Sequence, residues 1–118
     1  MSGMRKTAVR YQVRIVLVFG LIVSLPSWAQ DTGSDGAVLV HANRCYACHH
    51  ETEALLGPPY KAIAARHKSR KEVMVDVLAE KIILGGGGNW GFVPMVPNEH
   101  VTETDARRIA QWILDLEP

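Results

Sequence analysis

The feature that most constrains this chain is five residues long: Cys45-Tyr46-Ala47-Cys48-His49. One helical turn brings the two thiols, three positions apart, onto a single face, and the adjoining imidazole swings in beside them. The chain has no other cysteine. A structural zinc site needs four ligands, usually with a second Cys or His pair at short spacing, and His41, His50, His67 and His100 form no such pair. A thioredoxin-like dithiol belongs in a βαβ setting, for which the chain shows no strand pattern. A plain disulfide leaves His49 as coincidence. The spacing matches a c-type haem attachment site, in which the thiols add across the haem vinyl groups and the histidine ligates the iron.

Thiols that must be presented to haem suggest assembly outside a reducing cytosol, and the N-terminus agrees. Arg5, Lys6, Arg10 and Arg14 precede an apolar run from Ile15 to Leu25, and Ser27-Trp28-Ala29 is a small-x-small cleavage site. Residues 1–29 therefore read as a secretory signal and residues 30–118 as one haem domain. The apolar run is short of the ~20 residues that span a membrane, and Pro26 interrupts it, an uncleaved anchor being the alternative. The formal charge of the whole chain is +1, from 13 Lys and Arg against 12 acids. Cleavage removes four of the cations and none of the acids, so the mature domain is net acidic and a nucleic-acid role gains no support. A domain this short buries little core of its own, and a covalent apolar ring adds packing surface.

Beyond the polar stretch after Gln30, Ser34 or Asp35 can cap a first helix that runs to about Asn43 and delivers Cys45. His50 reads as a solvated neighbour of His49. In Leu55-Leu56-Gly57-Pro58-Pro59-Tyr60, Gly57 permits a tight turn and the prolines stiffen it. A backbone carbonyl held there, that of Pro58 above all, can accept the Nδ1 proton of His49, while helix entry through proline is the blander reading. Tyr60, Ile63, Ala64 and His67 recur with the spacing of a helix with one inward face. Arg66, Lys68, Arg70 and Lys71 form a basic cluster that reads as a solvated face. Ser69 and Glu72 have capping-box spacing ahead of a third helix through Val73, Met74, Val77, Leu78 and Ile82 to about Leu84, which four consecutive glycines end. That glycine run lacks the lysine and hydroxyl residue of a phosphate loop, so it reads as a turn.

Met95 stands between Pro94 and Pro97, which favour an extended backbone able to aim a thioether from a loop. A thioether opposite a histidine completes six-coordinate haem iron and raises its potential. Met74, on a helix, reads as core, and His100 is the alternative second ligand. Trp90 is open between core filler and a hydrogen bond to a haem propionate. Thr102 and Asp105 read as a cap and its acid, before Ile109, Trp112, Ile113 and Leu116 on a last helix whose Trp112 packs on the first.

Taken together, Cys-x-x-Cys-His, Gly-Pro-x-Tyr-Lys, Trp-Gly-x-x-Pro-Met-x-Pro-Asn and a final helix with Ala-x-Trp resemble the short monohaem class I cytochromes c of bacterial periplasms, of pseudomonad type. The resemblance implies an all-α fold of four to five helices around one covalent haem. It implies thioether bonds at Cys45 and Cys48, axial ligands His49 and Met95 on the iron, and the Pro58 carbonyl orienting His49. It also implies an Asn98 side chain against the methionine sulfur, with Trp90 and Lys81 reaching a propionate; Lys81 stands where arginine is frequent. Arg44 stands where glycine is frequent, and Val40 where an aromatic is frequent.

The expected function is one-electron transfer in the periplasm by a monomeric, non-enzymatic carrier, with transient redox-protein partners docking at a face that includes Val93 and Val96. Two other readings stay open at this point: a dedicated haem subunit of a larger oxidoreductase, and a sensor or peroxidase-like protein with a labile sixth position.

Overall fold

The computed structural model describes residues 32–118; the expected signal, residues 1–29, lies outside the described residues. Among the described residues four α-helices succeed one another: α1 (Thr32–Ala42), α2 (Tyr60–His67), α3 (Lys71–Leu84) and α4 (Glu103–Asp115). Short 3-10 turns occupy Cys45–Ala47 and Lys68–Arg70. Among the described residues the extended pairing is one isolated bridge, between Gly86 and Met95.

The last helix is the one the others pack on. Thr102 caps it as expected, its side chain accepting from the Asp105 N–H at 3.1 Å. Ala106, Ile109, Ala110, Ile113 and Leu114 recur at helical spacing and are all buried, so α4 presents one apolar stripe to α1, α2 and α3. Two alanines in that stripe permit close approach. At the crossing with α1, a Cβ on Gly36 would overlap the Trp112 side chain, so Trp112 packs against the first helix as its spacing suggests. Val40, fully buried at the same core, fills the place with a small branched side chain. The ion pairs Lys71–Asp115 and Arg107–Asp76 link α3 to α4 at the exposed surface, where such pairs contribute little.

Two expected helix starts are corrected. The first helix begins at Thr32, so Ser34 and Asp35 lie inside its opening turn; a carboxylate there meets the same unpaired N–H groups that a cap would. The Ser69–Glu72 capping box does not form. Lys68–Arg70 continues from α2 as a 3-10 turn, so Ser69 is already helical and lacks the extended backbone of a cap, and α3 starts behind Arg70 without a side-chain cap.

Candidate haem site

The segment leaving α1 builds one wall of the site. Arg44 takes a left-handed conformation (φ 58°, ψ 27°) that turns the chain out of the helix and into the Cys45–Ala47 turn. For a residue with a Cβ that costs about 1–2 kcal/mol, which is why glycine suits the position. Cys45 and Cys48 are half-buried free thiols, and burial pushes the Cys45 thiol above its ordinary range. The His49 N–H donates to Cys45 O at 3.0 Å, which carries the buried imidazole into place.

His49 Nδ1 lies 2.8 Å from the Pro58 carbonyl oxygen. A carbonyl can only accept, so Nδ1 carries the proton and Nε2 keeps the lone pair that a metal needs. Gly57 makes this approach possible: a Cβ there would sit 2.7 Å from Nδ1 and 2.8 Å from Nε2. Its own N–H donates to Cys48 O at 2.8 Å, closing the loop back on the thiols. Pro59 is the cap residue of α2, so the helix-entry reading of the prolines holds beside the carbonyl one. Behind the ring, buried Tyr60 stacks on His49 with centroids 5.5 Å apart and an interplanar angle of 20°. Tyr60 also meets Tyr46 and Trp112 edge-on, and its hydroxyl, buried among them, has no hydrogen-bond partner among the described residues.

The other wall is a loop. α3 stops at Gly85 (φ 66°), whose N–H donates to Lys81 O, and Gly86, Gly88 and Gly91 also have positive φ. Gly86 and Met95 exchange both backbone hydrogen bonds, at 2.8 and 3.1 Å. Asn98 then fastens the segment to α3. Its N–H donates to Ile83 O at 3.0 Å, and its side-chain amide donates to Ile82 O and Val96 O at 3.1 and 3.2 Å. Those side-chain bonds are to backbone. Met95 itself is half-buried.

Cys45, Cys48, His49 and Met95 line one cavity of about 790 Å³, together with Pro58, Lys81, Trp90 and Asn98. That size lies in the range of cofactor sites. Much of the remaining lining is apolar, with Leu56, Ile63, Met74, Val77, Leu78 and Ile82 among it, while Arg66, Arg70 and Lys81 contribute cations. Free thiols, an imidazole with its lone pair available, a thioether, apolar surface for a porphyrin and cations for its carboxylates are the donor set a haem requires, so the residues fit the group. Trp90 is 42% exposed, under the Arg66 guanidinium at 4.7 Å, and Arg66 Nη1 donates to Asn89 O at 2.9 Å. Val93 and Val96 are exposed on the same loop. His100 is exposed in the turn before α4 and does not line the cavity.

Sequence reasoning does not find Arg66, His67 and Arg70 as cavity residues. Helical spacing puts His67 on an inward face and the charge pattern puts the arginines on a solvated one; they meet because α2 ends where the cavity opens between it and α3.

Comparison with known proteins agrees with this geometry. The family model described as Cytochrome c matches residues 33–117. The chain is 42% identical over 79 residues to cytochrome c-551 of Allochromatium vinosum, covering 67% of this chain and 83% of that protein. It is 46% identical over 72 residues to cytochrome c-552 of Hydrogenobacter thermophilus, covering 61% and 71%. The crystal structure of wild-type Nitrosomonas europaea cytochrome c552 superposes with a TM-score of 0.65 at 41% identity, over 69% of this chain and 99% of that one. The chain belongs to the cytochrome c family, as a small monohaem class I member with covalent haem c at the Cys45-x-x-Cys48-His49 motif, and it is an electron carrier.

Proposed function

We propose that the mature domain is a periplasmic one-electron carrier whose haem iron is ligated by His49 and Met95, serving redox proteins that dock briefly. The observation that carries this reading is the single cavity lined at once by both thiols, by His49 and by Met95. The haem, when bound, supplies the one-electron couple of its iron. His49 offers Nε2 because its Nδ1 proton is engaged by Pro58 O. Met95 offers a thioether, which favours the ferrous state and raises the potential. With His49 and Met95 both holding it, the iron would have no position left for a substrate, which supports a carrier over an enzyme or sensor.

The protein's further work is to keep water out and partners close. Ile63, Met74 and Ile82 are buried cavity residues that exclude solvent. Lys81 and Trp90 line the same cavity and are suited to propionates. Asn98 holds the loop that presents Met95. Exposed Val93 and Val96 on that loop give a partner an apolar contact. Residues 1–29 act as the cleaved signal that exports the chain. Among the described residues no helix is long and apolar enough to cross a membrane.

A redox titration of the haem-loaded mature domain, with and without carbon monoxide, tests this reading. A reversible one-electron wave that carbon monoxide does not disturb at neutral pH is expected. Ready carbon monoxide binding to the reduced form would show an open iron and contradict the carrier assignment.

A further inference from the structure

We propose that Tyr60 is a positioning residue for the His49 imidazole: its flat ring, and not its hydroxyl, sets the direction of the imidazole plane. The proposal rests on the haem reading above, in which His49 is a ligand. The hydrogen bond from His49 Nδ1 to the Pro58 carbonyl oxygen, at 2.8 Å, fixes the tautomer and one point of the ring. It holds the plane only loosely, because the χ2 torsion of a histidine is broad and a hydrogen bond tolerates considerable misalignment before it weakens. What lies against the faces of the ring decides the rest.

Two neighbours lie there. A Cβ on Gly57 would fall closest to His49 Cε1, and at 2.7 and 2.8 Å from the two nitrogens that flank it. Set beyond the ring edge, such a point would stand well away from both nitrogens, so the Gly57 backbone lies over a face. A backbone atom bars that side but is not itself flat. Tyr60 is: its ring is within 20° of parallel to the imidazole with centroids 5.5 Å apart, the offset-stacked arrangement that aromatic pairs favour. Tyr60 is in turn held firmly. It is 2% exposed, its N–H donates to His50 O at 2.9 Å, and Tyr46 and Trp112 meet its ring at 83° and 72°. Trp112 belongs to α4, on which the other helices pack, so the imidazole takes its direction from the core of the domain and not from the turn that carries it.

The Tyr60 hydroxyl has no hydrogen-bond partner among the described residues. A buried hydroxyl left unpaired costs stability, so the contact this position uses is the ring, and phenylalanine keeps it. Direction matters because an imidazole on iron is not symmetric about its bond to the metal. Its π orbital overlaps one of two iron orbitals that are otherwise alike, and the plane decides over which part of a porphyrin the unpaired electron of ferric iron spreads. Residues behind a metal-bound histidine act on the metal through such orientation. In a carrier, that same orbital takes up and gives back the electron.

The test is the pattern of haem methyl proton shifts, with the electron-spin g values, of the ferric, haem-loaded domain for wild type, Tyr60→Phe and Tyr60→Leu. The His49 Nδ1–H signal reports on the bond to Pro58. The expected result is a wild-type pattern in Tyr60→Phe and, in Tyr60→Leu, a changed order of methyl shifts and changed g values with the Nδ1–H signal retained. Packing alone would lower stability without reordering the methyl shifts. Wild-type shifts and g values in Tyr60→Leu, an equal displacement in Tyr60→Phe, or loss of the Nδ1–H signal along with the wild-type pattern would overturn the proposal. If the leucine variant does not fold, Tyr60→Met, which fills irregular space without a flat face, is read by the same criteria. An undisturbed pattern on an intact His/Met haem removes the role of Tyr60 alone, whereas absence of covalent haem removes the reading beneath it.

Discussion

The two walls of the cavity hold the two proposed ligands, His49 and Met95, by different means. On the His49 side the imidazole is buried, hydrogen-bonded to a carbonyl stiffened by two prolines, backed by a glycine with no room for a Cβ, and stacked on a buried tyrosine. On the Met95 side the thioether rides on a mostly exposed loop anchored by one backbone bridge and by Asn98. A ligand fixed by packing keeps its tautomer and direction whatever the loop does. A side chain fixed by a few backbone bonds can yield first.

The sharpest way to break this contrast is Gly57→Ala. The new methyl would be driven into the His49 ring, and overpacking of this kind costs about 3 kcal/mol or more where neither side can yield. Denaturant unfolding of the haem-loaded domain should show the loss; wild-type stability would mean that this wall is softer than it looks. Gly85→Ala attacks the other wall, since its φ of 66° is strained for alanine and the Cβ would lie 2.8 Å from Pro97 N. About 1–3 kcal/mol is expected, and the thioether-to-iron spectral signature should fade before the haem environment around His49 changes. Simultaneous loss of both signatures would erase the distinction.

Smaller effects sharpen it. Asn98→Ala removes two side-chain hydrogen bonds, so a loss of about 1 kcal/mol and faster exchange of the Met95 amide are expected in hydrogen exchange, with the His49 amide unchanged. Arg44→Gly should act with the opposite sign. Relief of the left-handed backbone raises the thermal midpoint by the equivalent of up to about 1 kcal/mol, while the haem spectrum stays as it was.

The histidine wall is largely legible in the sequence because its chemistry is local. Cys45, Cys48 and His49 lie within one pentapeptide, and the Gly57-Pro58-Pro59 stretch announces a fixed carbonyl. The helices α2 and α4 are equally plain: apolar recurrence marks both, and in α4 the Thr102 cap agrees with it. The start of α3 is not, since a capping box and a 3-10 turn share the same residues, and the close succession of α2 and α3 decides between them. Nor is the grouping of Arg66, His67 and Arg70 around the cavity, because a charged side chain at the edge of a site has the same sequence pattern as one facing solvent. The crossing at Gly36 is also silent, as a glycine inside a helix signals close approach only when the partner is known.

The most direct test of the central claim is the visible spectrum of the ferric, haem-loaded domain beside that of Met95→Ala. Paired His49 and Met95 ligation predicts covalent haem that survives acid-acetone extraction in both proteins, and a weak red charge-transfer band in the wild type that Met95→Ala lacks. The same band persisting in Met95→Ala, or never appearing in the wild type, would contradict that pairing.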